Sequence, residues 1–315
     1  MKNKFILVII ITFFTVHLIS IDQNAGTSGF SFLKLQFSAR AAGMANAFTG
    51  LSNDTDAVFY NTAGLAKNTH QHIKINYINY IDGMDGGSLS FTKKIDAIWS
   101  IAPFIQFMVS DDIPETIERN EQYGGVIGSF NTSHIICGIG FARELNEVVD
   151  FGINVKYFYE KLYDNNTATV LAFDFSVLHQ TNNPDLKIGA TIKNIGTQLA
   201  YYTETKHKEK MPVTAIVGAS YLVIDKGVVN LDICRPFDND FYGKLGIEYY
   251  LNNFLSIRTG LDTRIQDYKT NANSDLLSGI SFGLGISRDK YLVDYAVSSM
   301  GSFGYINQIS MGYNF

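Results

Sequence analysis

Phe303-Gly304-Tyr305-Ile306-Asn307-Gln308-Ile309-Ser310-Met311-Gly312-Tyr313-Asn314-Phe315 closes the chain, and it alternates almost without fault. Phe303, Tyr305, Ile309, Met311, Tyr313 and Phe315 share one parity. Ser302, Gly304, Gln308, Ser310, Gly312 and Asn314 share the other. Successive side chains of a strand point to opposite faces, so this stretch is a ribbon with one greasy face and one small, polar face. Chain ends are usually ragged; here the pattern runs to the final aromatic.

The same period recurs upstream. Phe151, Ile153, Val155, Tyr157 and Tyr159 alternate with Gly152, Asn154, Lys156, Phe158 and Glu160. Leu245, Ile247, Tyr249 and Leu251 alternate with Gly246, Glu248 and Tyr250. Strand candidates fall at 72–82, 87–95, 97–109, 133–143, 149–163, 167–179, 186–199, 211–223, 228–236, 241–251, 253–264, 277–288, 290–301 and 303–315. Many exceed the five or six residues usual for a soluble sandwich. A further candidate at Tyr123–Phe130 is discounted, because single-chain bacterial barrels carry even strand numbers with short turns on one side and longer loops on the other. Fourteen strands put 110–132, 200–210 and 265–276 on one side. The tight turns at Asn252–Asn253 and Asp289–Lys290 fall on the other, with both termini. The predicted fold is an all-β membrane protein, an antiparallel transmembrane barrel of about 14 strands. Tyr313 and Phe315 resemble the terminal signal by which the barrel assembly machinery recognises bacterial outer-membrane barrels. The greasy face then meets outer-membrane lipid, and the last strand should pair with the one beginning near His72.

Met1-Lys2-Asn3-Lys4 followed by the apolar run Phe5–Val16 has the layout of a secretory signal peptide, assigned to residues 1–20. The run is broken by Thr12 and Thr15 and is too short for a membrane anchor of about 20 apolar residues. Its removal takes away Lys2 and Lys4, leaving 23 basic and 30 acidic residues, 23 − 30 = −7. That balance argues against a nucleic-acid partner, which needs a basic face. With 23 Phe and 18 Tyr against one Trp, and no hydrophobic helical span, the composition suits a barrel. Residues 21–70 form a separate N-terminal segment. Within it, the Ala-rich stretch 38–52 predicts a helix capped by Ser38. Residues 71–315 are the barrel. Cys137 and Cys234 lie on opposite faces, so no disulfide is expected.

Phe32-Leu33-Lys34, Ser38-Ala39-Arg40-Ala41-Ala42-Gly43-Met44, Asn53-Asp54 and Tyr60-Asn61-Thr62-Ala63-Gly64-Leu65 resemble the PorV/PorQ-type relatives of the FadL fatty-acid transporter. Val149–Tyr157, Lys193-Asn194-Ile195-Gly196 and Gly246-Ile247-Glu248-Tyr249 are similar to strands of that family. Position 62 is Thr where the family usually carries Pro, which restores φ freedom and an amide donor. The resemblance implies a fourteen-stranded barrel with an N-terminal hatch in its lumen, and Arg40, Asn61, Thr62, Ala63 and Gly64 as candidates for gating a ligand. It implies transport of hydrophobic small molecules or, alternatively, an accessory scaffold of a type IX-like secretion machine that binds exported proteins.

Lys156, Glu160, Asp174, Lys193, Asp232, Glu248, Arg258, Asp262 and Asp294 share the inward parity. They either line a polar conduit or pair across a filled barrel, as buried charges must. The acidic stretch Asp111, Asp112, Glu115, Glu118 and Glu121 reads as a solvated loop. His70 and His72 share a face without a third metal ligand. No nucleophile–base pair, phosphate loop or Cys/His spacing is present, so no enzyme activity, cofactor or metal is expected.

Overall fold

The computed structural model describes residues 23–68, 71–119, 122–163, 166–224, 226–264 and 273–315. The segment assigned as a signal peptide, and His70, lie outside them. The strands are β1 (His72–Asn79), β2 (Met84–Lys94), β3 (Trp99–Ser110), β4 (Ile113–Arg119), β5 (Gln122–Phe130), β6 (Ser133–Glu144), β7 (Val149–Lys161) and β8 (Thr167–Gln180). They continue as β9 (Leu186–Ala200), β10 (Thr214–Ile224), β11 (Gly227–Pro236), β12 (Tyr242–Tyr250), β13 (Leu255–Asp262), β14 (Ile280–Arg288), β15 (Tyr291–Ser299) and β16 (Tyr305–Asn314). Among the described residues, all but β4 and β5 form one closed antiparallel barrel of fourteen strands.

The barrel closes where the last strand predicted it would. β16 pairs with β1 in the register His72↔Asn314, Ile75↔Met311 and Tyr77↔Ile309, and the Phe315 amide donates to the Gln71 carbonyl at 3.0 Å. Ile309, Met311 and Phe315 face outward, while Gln308 and Ser310 are buried in the lumen. The strand is shorter than its pattern suggests. Gly301–Phe303 is a 3₁₀ turn, and Gly304 has φ 108°, a conformation that favours glycine.

Long connections (111–132, 201–213, 263–279) gather on one side, the loop side. The short ones (95–98, 145–148, 251–254, 289–290) gather on the other, the turn side. Three turn-side hairpins share one chemistry. Asp96, Asn146 and Asn252 each accept, through Oδ1, the amides of the residues two and three places on, at 2.8–3.0 Å. These are Asx turns, in which a short polar side chain satisfies backbone donors that the ladder cannot. Tyr291, Tyr313 and Phe315 stack edge-on at 5.1–5.2 Å on this rim, with Phe91 beside Phe315, where aromatic girdles of membrane barrels lie. No described helix is long and apolar enough to cross a membrane; the crossing is made by strands.

Three sequence expectations are corrected. Tyr123–Phe130 does form a strand, but β5 pairs only with β4 in a hairpin that extends the loop side beyond the barrel. The predicted helix over 38–52 is a single turn, α1 (Ala39–Ala42), capped as expected by Ser38 Oγ. It stops because the chain must bend against the barrel wall, and Ala45 and Asn46 adopt positive φ. The described residues begin on the loop side, whereas the strand count predicts both termini on the turn side. Gly26 and Gly29 donate to the carbonyls of Asp238 and Lys210, and Lys34 pairs with Asp238 at 2.5 Å.

From there residues 30–68 descend through the lumen to the turn side, where Lys67 reaches the Glu147 carbonyl. This plug gives the apolar residues on the inner face of β3, which lie among Ser100 and Gln106, something to pack against. Phe104 and Met108 are buried, and Phe59 packs edge-on against Phe104 at 5.3 Å. A second helical turn, α2 (Ala57–Tyr60), is buried along its length.

Candidate functional site: a plugged lumen with two chambers

All nine inward-parity charges predicted from sequence are buried in the lumen: Lys156, Glu160, Asp174, Lys193, Asp232, Glu248, Arg258, Asp262 and Asp294. Cys137 is exposed on the outer face and Cys234 buried on the inner, as the parity required. The structure divides the charges into groups. Lys156 pairs with Asp174 at 2.7 Å. Glu160 joins His134 at 3.1 Å and the Tyr202 hydroxyl at 2.6 Å, in a cluster that stacks on Phe32. Asp232 accepts the amides of Phe48 and Thr49 at 3.1 Å and the Thr49 hydroxyl at 2.7 Å, so a wall carboxylate clasps the plug.

The largest group is a closed ring of alternating charge. Arg40 pairs with Glu248 at 2.7 Å, Glu248 with Arg258 at 2.7 Å, and Arg258 with Asp294 at 2.7 Å. Asp294 lies 3.8 Å from Lys74, which pairs with Asp54 at 3.3 Å, and Asp54 returns to Arg40 at 3.0 Å. Asp56 is attached to the ring through Lys74 at 2.8 Å. Burial raises the Asp54 carboxyl, but Lys74 and Arg40 outweigh that and hold it below its ordinary value. Asp56, with only one cation beside it, is raised by its burial. Three cations against three anions make the six-membered ring neutral, which is how so many charges tolerate burial in the lumen. Plug residues Arg40 and Asp54 are thereby tied to β1, β12, β13 and β15. Lys74 is missing from the inward charges read from sequence, although its parity in β1 would have placed it among them; Asp54 and Asp56 carry no such signal, because no periodicity marks the plug.

The Asn61-Thr62-Ala63-Gly64 box serves as an anchor. Asn61 Nδ2 donates to the Thr49 and Val177 carbonyls at 2.9 and 3.0 Å. Thr62 Oγ1 donates to Asn154 Oδ1 at 2.7 Å, and the Ala63 amide to Ser176 Oγ at 3.1 Å. A side chain at Gly64 would collide with the Ser52 carbonyl 1.8 Å away. The Thr62 hydroxyl makes a hydrogen bond that a proline at this position could not, and the box is bonded to β7 and β8. It lines neither of the lumen's two main cavities.

The turn-side cavity lies against β12–β15 and Lys74 of β1, and the loop-side one reaches from β9 round to β1. The loop-side chamber, ≈ 210 Å³, has apolar walls from Leu33, Leu35, Ile78, Tyr242 and Ile306 and a basic patch from Lys193, Lys244 and Arg264. Arg264 is neutralised by Asp262 at 2.5 Å. Lys193 Nζ donates to the Phe59 carbonyl at 2.7 Å and Lys244 Nζ approaches Gln36 Oε1 at 3.5 Å, both neutral oxygens. Asn194 also faces this chamber. It has φ 63° and sits at a register shift between β8 and β9, so Lys193 and Asn194, adjacent in sequence, both point inward. Strict alternation hid that. Asn194 Nδ2 donates to the Leu33 and Pro212 carbonyls and fixes the descending plug. The turn-side chamber, ≈ 300 Å³, is lined by Arg40, Asp54, Lys74, Tyr250, Leu255 and Leu292.

The chain matches no family model and no curated protein. Its fold is similar to solved structures. The Ralstonia pickettii toluene transporter TbuX aligns with TM-score 0.57 and 13% identity, over 89% of this chain and 98% of that one. A Pseudomonas aeruginosa FadL homologue aligns with TM-score 0.57 and 12% identity, over 92% and 100%. The Pseudomonas putida toluene transporter TodX aligns with TM-score 0.58 and 12% identity, over 87% and 98%. At these identities the likeness is one of fold.

Proposed function

We propose that this barrel is an outer-membrane conduit for hydrophobic small molecules, entered from the loop side. The observation that carries the reading is the loop-side chamber, where Leu33, Leu35, Ile78, Tyr242 and Ile306 form an apolar patch among polar and charged side chains, inside a barrel whose outer face exposes many large apolar residues. The proteins it resembles in fold include ones described as toluene transporters, and that likeness and the N-terminal signal pattern support an outer-membrane location. Lys193 and Lys244, held by neutral oxygens inside that chamber, favour a molecule with an acidic end over a pure hydrocarbon, because a buried ammonium gains most from an opposite charge. The test is uptake of labelled toluene and labelled decanoate by cells whose outer membrane does or does not contain the barrel. Accumulation of neither above the empty membrane would sink the conduit reading. Equal loss of both probes in K244A would show that the lysine does not select for charge.

A second reading, a scaffold that binds exported proteins, draws on the exposed Val126 and Ile127 of the loop-side hairpin. It expects a secreted protein to co-purify with the barrel, and to be lost when 113–130 is replaced by a short turn.

A further inference from the structure

Two turn-side hairpins are built to one plan. Phe91-Thr92-Lys93-Lys94-Ile95-Asp96-Ala97-Ile98-Trp99 joins β2 to β3, and Phe141-Ala142-Arg143-Glu144-Leu145-Asn146-Glu147-Val148-Val149 joins β6 to β7. Each runs aromatic, small, basic, charged, aliphatic, Asx, any residue, aliphatic, and the burial of the two segments matches position by position. Ile95 and Leu145 are 57% and 53% exposed, and Ile98 and Val148 39% and 40%, so each turn holds two large apolar side chains out of the protein. β3 pairs directly with β6, and the hairpins stand side by side. The β12–β13 hairpin repeats the apolar pair with Leu251 and Phe254, both exposed. It carries Tyr249 where the other two carry a cation.

Both cations lie on the lipid side of the wall. Arg143 shares the parity of exposed Ile135 and of Cys137 on the outer face. Lys93 shares that of exposed Leu89 and of Phe91, whose ring lies beside Phe315 in the turn-side girdle. Lys93 is thus one outward position beyond the girdle, at the level where headgroups begin. The inward cations of these turns already have partners, Lys94 in Glu144 at 2.7 Å and Lys67 in Asp150 at 3.5 Å. Lys93 and Arg143 make no ion pair among the described residues. Asp96, in the nearby turn, accepts the Ile98 and Trp99 amides, which hold its carboxyl below its ordinary value, and Arg143 adds to that only as a minor cause. Trp99, the single tryptophan of the chain, is the cross-strand partner of Arg143, and the guanidinium lies over its ring, 5.2 Å from the centroid. Stacking occupies one face of a guanidinium and leaves its in-plane N–H fork free, the geometry that takes a phosphate through two bonds. Lys93 is paired with Ile101 and so flanks the same indole from β2, two strand spacings or about 10 Å from β6.

We propose that Lys93, Trp99 and Arg143 form a binding site for the phosphodiester of an anionic glycerophospholipid in the turn-side leaflet, with Ile95, Ile98, Leu145 and Val148 set into the interface beside it. Position and charge select this occupant. The face is covered by lipid, and two cations without a counter-charge call for an anion. The phosphate of the surrounding lipid is the anion present at that depth, and a zwitterionic headgroup would bring a cation of its own against them. The site lies outside the lumen and asks only that the barrel span a membrane, so it does not depend on what the barrel carries.

Trp99 serves as the probe. The full-length barrel is placed in vesicles of phosphatidylcholine and phosphatidylglycerol, of the same composition in both leaflets, so that its orientation does not matter. Trp99 fluorescence is followed as one lipid or the other is replaced by its dibrominated form, which quenches only neighbouring indoles. The two quenching curves give the relative affinity of the site for the two lipids. Two basic residues should favour phosphatidylglycerol at least about threefold at low salt. Lys93→Gln combined with Arg143→Gln should cut that ratio to less than half, and about 0.5 M salt should do the same to the wild type by screening. A wild-type preference below threefold would overturn the proposal, and so would a ratio that stays above half its value in the double variant or in salt. Quenching by neither lipid would remove Trp99 from the lipid face and overturn it outright. Heat-modifiable mobility on gels reports whether the variant is folded, and the salt arm on the wild type decides the matter if it is not. Uptake has no part in the readout, so the site and the conduit reading stand or fall separately.

Discussion

Replacing Gly260 with alanine tests how the plug is seated on the wall. The new Cβ would lie 2.2 Å from the Ala45 nitrogen and 2.3 Å from the Met44 carbonyl carbon, against about 3.5–4.0 Å for an ordinary contact. One partner must retreat by more than about 1 Å. The wall is the stiffer of the two, because Gly260 lies in continuous register between Gly246 on β12 and Ser281 on β14. The turn at Ala45 therefore moves. Overpacking of this kind costs about 1–3 kcal/mol. Purified G260A should show a lower urea midpoint in detergent than wild type and faster amide hydrogen exchange at residues 43–47, with unchanged heat-modifiable mobility on gels to show an intact barrel. A correctly folded G260A with the wild-type midpoint and wild-type exchange at residues 43–47 would refute the reasoning.

Three further outcomes are expected. Glu248 is fully buried and accepts from Arg40, Arg258 and Tyr250; E248Q leaves two guanidiniums short of a counter-charge and should cost about 3–5 kcal/mol, read as a lower urea midpoint in detergent, whereas a midpoint unchanged from wild type would show the ring to be dispensable. Asp238 is pushed up by partial burial but held lower overall by Lys34 and Ser28; its folded value lies below the unfolded one, so its tether of the N-terminal strap is complete above the ordinary carboxylate range and is lost as pH falls through the folded value. Protease cleavage between Asn24 and Phe30 should accordingly rise on acidification in wild type and be high and pH-independent in D238N; a wild-type strap equally resistant at both ends of that range would contradict this. Deleting Phe315 removes both the amide bonded to Gln71 and the ring against Tyr313, and should lower outer-membrane levels severalfold on immunoblots of membrane fractions, normal levels counting against an assembly role.

Much of this molecule is written in residue order. A strand crossing lipid must show an apolar side chain at every second position, so a period of two in the last thirteen residues, repeated upstream, suffices for strand number, inward and outward faces, the sorting of loops and the β1–β16 closure. Lys156, Glu248, Arg258 and Asp294 were placed in the lumen by parity alone, and so was the separation of the two cysteines. The plug obeys no such rule. It touches wall residues far away in sequence, and its conformation answers to them: the helix expected over 38–52 stops at Ala42 because Gly246, Gly260 and Gly283 admit backbone and the chain bends to meet them. The bulge that turns Asn194 inward and the charge ring drawn from four strands and two plug turns both depend on how the strands are staggered around the barrel. Stagger is a property of the closed sheet, since it is set by pairings between strands. The alternation that ends on Phe315 therefore determined the wall and its two faces, and only the tertiary structure decided what the wall holds.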